Sequence, residues 1–419
     1  MRKELMAGIQ CSILPEKKFK TTQLCVRFRA PLTYENLNTR SLLAAVMGNS
    51  AKNYPTIQSL NERLADEYGA SYQASSTRQG QDQIVTFYFH FVNDRFLPGE
   101  TDVLGTIFTL LEEILFHPAV ENGAFDATIL ERERRNLLEY MQMVMEDKQD
   151  YAILRIQSLH FKELAQAAPF YGTMEGISQV SGEELYQAYL SMLMNDAMEI
   201  IISGDVDEEE IFARLEQFPF TPREVELWSP FYRQEQEEDI LEEVETQRLT
   251  QSKLALCYQH PFYYGTPDYE AFLVFNGLFG GYPHSKLFMN VRERESLAYY
   301  ASSHTDAYRG TLLVQAGINK KNKEFVLDLI DQQQYLLQQG DFSEEDLEKT
   351  KALLCNQYRA SFDQPRNLIE KESRRLRFLE VEDQDFEAKI QKVTREQVQE
   401  VAKKITLETI YCLEGVDDE

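Results

Sequence analysis

The sequence predicts an α+β protein in which one domain plan is used twice. Three observations lead there. Short alternating strand candidates stand beside long helical patterns, which is the mixture of an α+β layer fold. The long helical patterns come in pairs, once in each half. Short markers also recur in the same order, Val180 and Val393 lying about 210 residues apart and Gly204 and Gly415 keeping nearly that offset. A chain of 419 residues, 43% apolar, can fill a core in each domain.

In chain order, Gln23 to Phe28 alternates as a strand does, and so does Ile84 to Phe91. A helical pair follows, from Asp102 to Phe116 and from Phe125 to Phe161. Val180-Ser181-Gly182-Glu183 then opens a helix through a capping box of Ser181 and Glu184. The half closes on a strand, Glu199 to Val206, that contains Gly204-Asp205. The second half repeats the series. Thr311 to Ile318 reads as a strand, and helical patterns run from Lys323 to Gln339 and from Ser343 to Leu379. Pro365 breaks or kinks the latter. Leu347, Leu353 and Leu354 begin its buried face. Thr394 and Gln397 form the second capping box, and the strand from Thr409 to Val416 ends the half.

The seam lies near Phe220 to Thr250. Thr221-Pro222 and Ser229-Pro230 disfavour continuous regular structure. Gln234-Glu235-Gln236-Glu237-Glu238-Asp239 reads as a solvated linker or as an acidic strip for a basic peptide. The expected organisation is a domain over 1–220, an acidic linker over 221–248 and a second domain over 249–419.

Formal net charge is -26. That excludes a broad nucleic-acid surface and docking on an anionic membrane, and it permits a basic peptide. No eighteen-residue apolar span is present, so no membrane insertion is expected, and without a signal-peptide pattern the cytoplasm is the expected compartment. The five cysteines are widely spaced with no C-x-x-C pair, which favours buried free thiols over a zinc ribbon or redox site. A nucleophile elbow, a P-loop and a dinucleotide fingerprint are all missing.

The most specific stretch is Asn276-Gly277-Leu278-Phe279-Gly280-Gly281, followed by Ser285-Lys286-Leu287-Phe288-Met289-Asn290-Val291-Arg292-Glu293-Arg294-Glu295-Ser296-Leu297-Ala298-Tyr299. Gly280-Gly281 followed by Tyr282-Pro283 read as a tight loop, Ser285 as a helix cap, and Leu287, Phe288 and Val291 as a core-facing stripe. This run resembles the C-terminal-domain signature of the insulinase and mitochondrial-processing-peptidase superfamily of zinc proteases. Asn53-Tyr54-Pro55-Thr56 and Leu64-Ala65-Asp66-Glu67-Tyr68-Gly69-Ala70 add weaker marks of the same resemblance. It implies two homologous domains, each an antiparallel-rich sheet packed with long helices, together forming half of a clamshell chamber.

The resemblance also implies a zinc helix in the first half. A hydrolytic zinc site needs three protein ligands, an open position for water and a general base. Neither H-x-x-E-H nor H-E-x-x-H occurs, and no two of the six histidines lie close in sequence. In the register of the resemblance, Ser41 and Ala45 stand at the histidine positions and Ala44 at the base. Aligning the leading acidic residue at Glu133 puts Tyr140 at the third ligand. Glu131, Glu133 and Glu139 read as a charged helix surface shared with Arg132, Arg134 and Arg135. No metal and no other cofactor is expected.

What survives is Arg292 and Tyr299, seven residues apart, with Ser296 in place of the usual glycine. The resemblance makes them contacts to substrate backbone or a developing oxyanion. A guanidinium fork suits a peptide carbonyl or carboxylate, and a phenol adds one aimed donor. The alternative is an arginine paired with Glu293 or Glu295 and a tyrosine in the core. The combination reads as a non-catalytic partner of a zinc-bearing homologous peptidase subunit, helping to bind peptide or protein substrate. A stand-alone binding or scaffold protein, including a self-associating homodimer, is the alternative, followed by an enzyme of unrelated chemistry.

Overall fold

The computed structural model describes residues 1–295, 297–378 and 385–415. Ser296, Leu379 and Val416 lie outside that set. Two compact units emerge: 1–142 with 169–229 and 361–380, and 143–168 with 230–360 and 381–419.

The first unit holds β1 (Arg2–Met6), β2 (Ile9–Pro15), β3 (Thr21–Pro31), β4 (Ser71–Gln79), β5 (Asp82–Val92), a two-residue hairpin of β6 (Val120–Glu121) and β7 (Ala124–Phe125), and β8 (Ala197–Gly204). Its sheet runs β1-β2-β8-β3-β5-β4. Only the β2–β8 pair is parallel. Strand β3 is buried from Thr22 to Ala30, as a central strand covered on both faces must be. Alternation sends its odd-numbered side chains to one face. There Cys25 joins Ile201 of β8 and Ile369 of the helix Pro365–Arg377 in one apolar cluster. Arg27 pairs with Glu370 of the same helix, and Arg29 is held by Asp82 at 2.7 Å and Glu199 at 2.9 Å.

The second unit holds β9 (Leu241–Gln247), β10 (Ser252–Gln259), β11 (Ala298–Asp306), β12 (Thr311–Ile318) and β13 (Thr406–Gly415), in the order β11-β12-β10-β13-β9. Again one pair is parallel, β13 with β9. Strand for strand, β9, β13, β10, β12 and β11 repeat β2, β8, β3, β5 and β4. The main core gathers Leu254, Leu256 and Tyr258 of β10 with Phe272, Phe275 and Phe279. The opposite face of β10, Ala255 and Cys257, meets Ala152 and Ile156 of the helix Lys148–His160. All five cysteines are free and buried.

Compactness therefore divides the chain differently from the contiguous ranges 1–220 and 249–419. The segment 143–168 packs in the unit built mainly from the second half, and 361–380 in the unit built mainly from the first. Each exchange begins within a few residues of a break in a long helical pattern. The pattern from Phe125 to Phe161 splits into Ala127–Glu146 and Lys148–His160, because Asp147 accepts from the Gln149 and Asp150 amides and starts a new helix. Pro365 takes the first position of its own helix, where its missing N–H costs nothing.

The range 221–248 also does more than link. Leu241–Gln247 forms edge strand β9. Its alternating glutamates suggest a solvated run, and charges are what an edge strand tolerates. Trp228 Nε1 donates to Asp82 at 2.7 Å, and the Arg223 amide donates to the Ala7 carbonyl. Both capping boxes form, Ser181 with Glu184 and Thr394 with Gln397. Among the described residues no helix is long and apolar enough to cross a membrane.

Candidate functional site

The first-unit positions lie on two helices. Tyr34–Asn49 starts at Thr33, whose side chain accepts from the Asn36 amide. Ser41, 5% exposed, faces inward, and its Oγ has no hydrogen-bond partner. Ala44 is buried and Ala45 half-buried. Small side chains here let the helix sit close to its neighbours, and Gly48 carries the same logic. A Cβ on Gly48 would meet the Ala74 methyl of β4 at 3.2 Å.

On Ala127–Glu146, Tyr140 is 47% exposed and packs edge-on against Tyr171, ring centroids 5.5 Å apart. Glu133 departs from the expected charged surface. It is buried, accepting from Asn49 Nδ2 at 2.7 Å, Arg132 Nε at 2.6 Å and Asn136 Nδ2 at 3.3 Å. The sequence gives no sign of this, because Asn49 lies 84 residues away. Arg134 is likewise structural, donating to the carbonyls of Ile177, Ser178 and Val180 at the end of the helix Met174–Gln179. Glu131 and Glu139 stay exposed.

Zinc does not fit these residues. Serine, two alanines and a tyrosine replace the ligands and base, and the one buried carboxylate, Glu133, is already engaged by two amides and a guanidinium. Among the described residues no group of three His, Cys, Asp or Glu side chains could hold a metal ion. The two helices are joined by packing and by the Asn49–Glu133 hydrogen bond.

In the second unit, Tyr269–Asn276 continues without a loop into a wide helical turn, Gly277–Gly281. Gly280 and Gly281 thus close a helix, and of the tight loop expected from Gly280 to Pro283 the part that forms is a turn starting at Tyr282, whose carbonyl accepts from the Ser285 amide at 3.0 Å. The reason the glycines stay in the helix is packing: a Cβ on Gly280 would lie 2.6 Å from Ser303 Oγ and 2.7 Å from its backbone nitrogen, so only glycine lets the helix reach β11. Ser285 is buried and its Oγ accepts a long 3.4 Å bond from the Phe288 amide. Leu287–Arg294 follows with the wide π-helical pitch, Leu287 and Val291 buried and Phe288 half-buried. Such widened turns concentrate at functional sites.

Arg292 leaves this helix with its side chain 41% exposed, over the Phe288 ring at 4.5 Å and 3.5 Å from Glu293. The glutamate contact is the expected alternative for the arginine, but the pair is loose and solvated. Tyr299 is 69% exposed, so it is not a core residue. It is the extra residue of a bulge in β11: Ala298 pairs with Ile318 and Tyr300 with Gly317, leaving Tyr299 without a partner across the ladder. Bulges turn a side chain out of the regular alternation. Arg292 and Tyr299 thus arrive from adjoining elements with their side chains open to solvent, each following one buried residue, Val291 and Ala298.

Comparisons with known proteins agree with this geometry. A family model described as "Peptidase M16 inactive domain" matches residues 179–354. The chain is 33% identical over 411 residues to the "Probable inactive metalloprotease YmfF" of Bacillus subtilis (strain 168), covering 98% of this chain and 96% of that one. It is 23% identical over 296 residues to the "Uncharacterized zinc protease YmxG" of the same organism, covering 68% of this chain and 65% of the relative. A crystal structure of a conserved protein from Enterococcus faecalis V583 superposes with a TM-score of 0.95 at 39% identity, covering 100% of this chain and 99% of that one.

Proposed function

Because the chain belongs to the M16, insulinase-like peptidase family as one of its inactive homologues, we propose that it is the non-catalytic subunit of a two-chain zinc-peptidase-like complex. It supplies half of a clamshell chamber in the cytoplasm and contributes surface that binds peptide or protein substrate, while a zinc-bearing homologue supplies the chemistry. One observation carries this reading: the Arg292 and Tyr299 side chains remain open to solvent while Ser41, Ala44, Ala45 and Tyr140, which stand at the metal positions of the resemblance, offer no zinc ligand set. Had the whole site decayed together, nothing would hold an arginine and a bulge tyrosine at the surface. That one organism holds relatives named both as an inactive metalloprotease and as a zinc protease supports the pairing.

The test is to purify the chain alone and together with a homologue carrying H-x-x-E-H, then measure zinc content and peptide cleavage. The pair should cleave, and the lone chain should do neither. Stoichiometric zinc with hydrolysis by the lone chain would overturn the reading. Peptide binding by the lone chain, with no complex formed, would instead favour a stand-alone binding protein.

A further inference from the structure

The chain carries 69 acidic side chains against 43 basic ones, yet a cavity of about 520 Å³ in the second unit is lined by no carboxylate among the described residues. Arg233, Gln234, Gln259, His260, Lys403 and Lys404 contribute to its wall. We propose that this cavity binds a small organic anion through a carboxylate or phosphate group.

The lining comes from three separate places in the unit, the segment before β9, the end of β10 and the end of the helix Arg395–Lys403, and its positive charge is carried by Arg233, Lys403 and Lys404. The two lysines have an ordinary reason to be where they are, since carbonyls at a helix C-terminus favour positive charge. They also have weak local partners. Lys403 lies 2.7 Å from Glu400, both half-exposed or more, and Lys404 lies 3.7 Å from Asp268. Exposed pairs of this kind are worth little and leave donors free for a ligand.

Arg233 and His260 have no such account. Arg233 pairs with no carboxylate among the described residues; its guanidinium lies over the Tyr263 ring at 4.5 Å. His260 is 2% exposed. Its Nδ1 accepts from the Phe262 amide at 3.1 Å, so the ring proton is on Nε2. Nε2 makes no hydrogen bond of ordinary geometry, although the Thr311 carbonyl lies near enough to favour the protonated ring. A polar hollow of this size leaves room for a small ligand beside its three cationic side chains. On a chain of net charge -26, one acid-free basic cavity selects for an anion that the rest of the surface repels.

This inference is independent of the partner reading. The full chain is titrated calorimetrically at low salt with inorganic phosphate, with citrate and with a triglutamate peptide. Saturable one-to-one binding of at least one probe is expected, weakened about tenfold or more, or about 1.4 kcal/mol, in the double variant Arg233→Ala/Lys404→Ala. Both side chains are at the surface, so the variant should melt as the parent does. Lys17→Ala/Lys20→Ala, which removes the same charge from the first unit, should leave binding unchanged. Binding of phosphate alone identifies a phosphate ligand, and binding of citrate or the peptide alone identifies a carboxylate. No binding at millimolar probe, or binding that both double variants weaken equally, overturns the proposal.

Discussion

At the scale of single residues, the molecule separates what has been given up from what has been kept. Arg292 and Tyr299 make few contacts with their own unit, so Arg292→Ala and Tyr299→Phe should each change stability by less than about 1 kcal/mol. The same variants should weaken peptide binding, or cleavage by the assembled pair, by about tenfold; melting curves beside a binding assay separate the two effects. The metal positions behave oppositely. Ser41 and Ala44 are buried, so Ser41→His/Ala44→Glu/Ala45→His forces large polar groups into a packed face. Overpacking of this kind costs about 1–3 kcal/mol per site. That variant should melt lower and still hold no stoichiometric zinc, because Tyr140 remains at the third position. A triple variant with full zinc occupancy and an unchanged melt would contradict the fit argument. The missing histidines are plain in the sequence, since identity alone decides that a residue cannot be a ligand. The bulge at Tyr299 and the burial of Glu133 are not, because both depend on pairings with distant residues, Gly317 and Ile318 in one case and Asn49 in the other.

At the scale of elements, caps and breaks are local chemistry and so are readable. Ser181 and Thr394 each open a helix as expected, and Pro365 breaks the long pattern as expected and begins the next helix. Five strands are marked by alternation or by dense β-formers: β3, β5, β8, β12 and β13. Four others escape. Strand β4, SYQASSTRQ, and β9, LEEVETQ, are too polar to stand out, and both lie at sheet edges where apolar alternation is not required. Strands β10 and β11 have no long pattern of their own, and tertiary pairing decides them. The helix Pro365–Arg377 can be tested directly. Ile369→Ala should cost about 2–5 kcal/mol. Its loss of hydrogen-exchange protection should fall on β3 and β8 and spare β10. Ile156→Ala should give the converse, with β10 and β13 affected. Protection lost evenly in both sheets would count against the assignment of these helices.

The second sheet also carries a pH response. Burial lowers His160 to about 4, with Arg309 adding to the effect, and burial lowers His260 to about 4 against the opposing influence of the Thr311 carbonyl and Asp306. Both are neutral in the folded chain, whereas an unfolded histidine protonates near 6.5. Their contribution is therefore complete above about pH 6.5 and is lost as pH falls toward 4, on the order of 3 kcal/mol for each. Glu408, raised by burial and 3.8 Å from His160, takes up its proton earlier in the folded chain and offsets part of this loss. Denaturant melts across pH 4 to 7 should show stability falling over that window, and a flat profile would exclude neutral buried histidines.

At the scale of the whole molecule, repetition was the strongest sequence signal, and the matching strand orders bear it out. Sequence order nevertheless misplaces the compact units, because a periodic pattern announces a helix without saying which sheet it covers. The partner reading belongs at this scale too: mixing the chain with its zinc-bearing homologue should produce cleavage that neither gives alone, and the chain should stabilise the homologue by mass action. The exchanged helices set a limit on dissection. A fragment ending near residue 220 would keep the helix Lys148–His160 without the β10 and β13 face it covers, and would lack Pro365–Arg377, leaving one face of its own sheet open to water. Expressed apart, the two halves should each aggregate, and only expressed together should they recover a folded protein. The stretch that was copied can be inherited as a module, but it cannot fold as one.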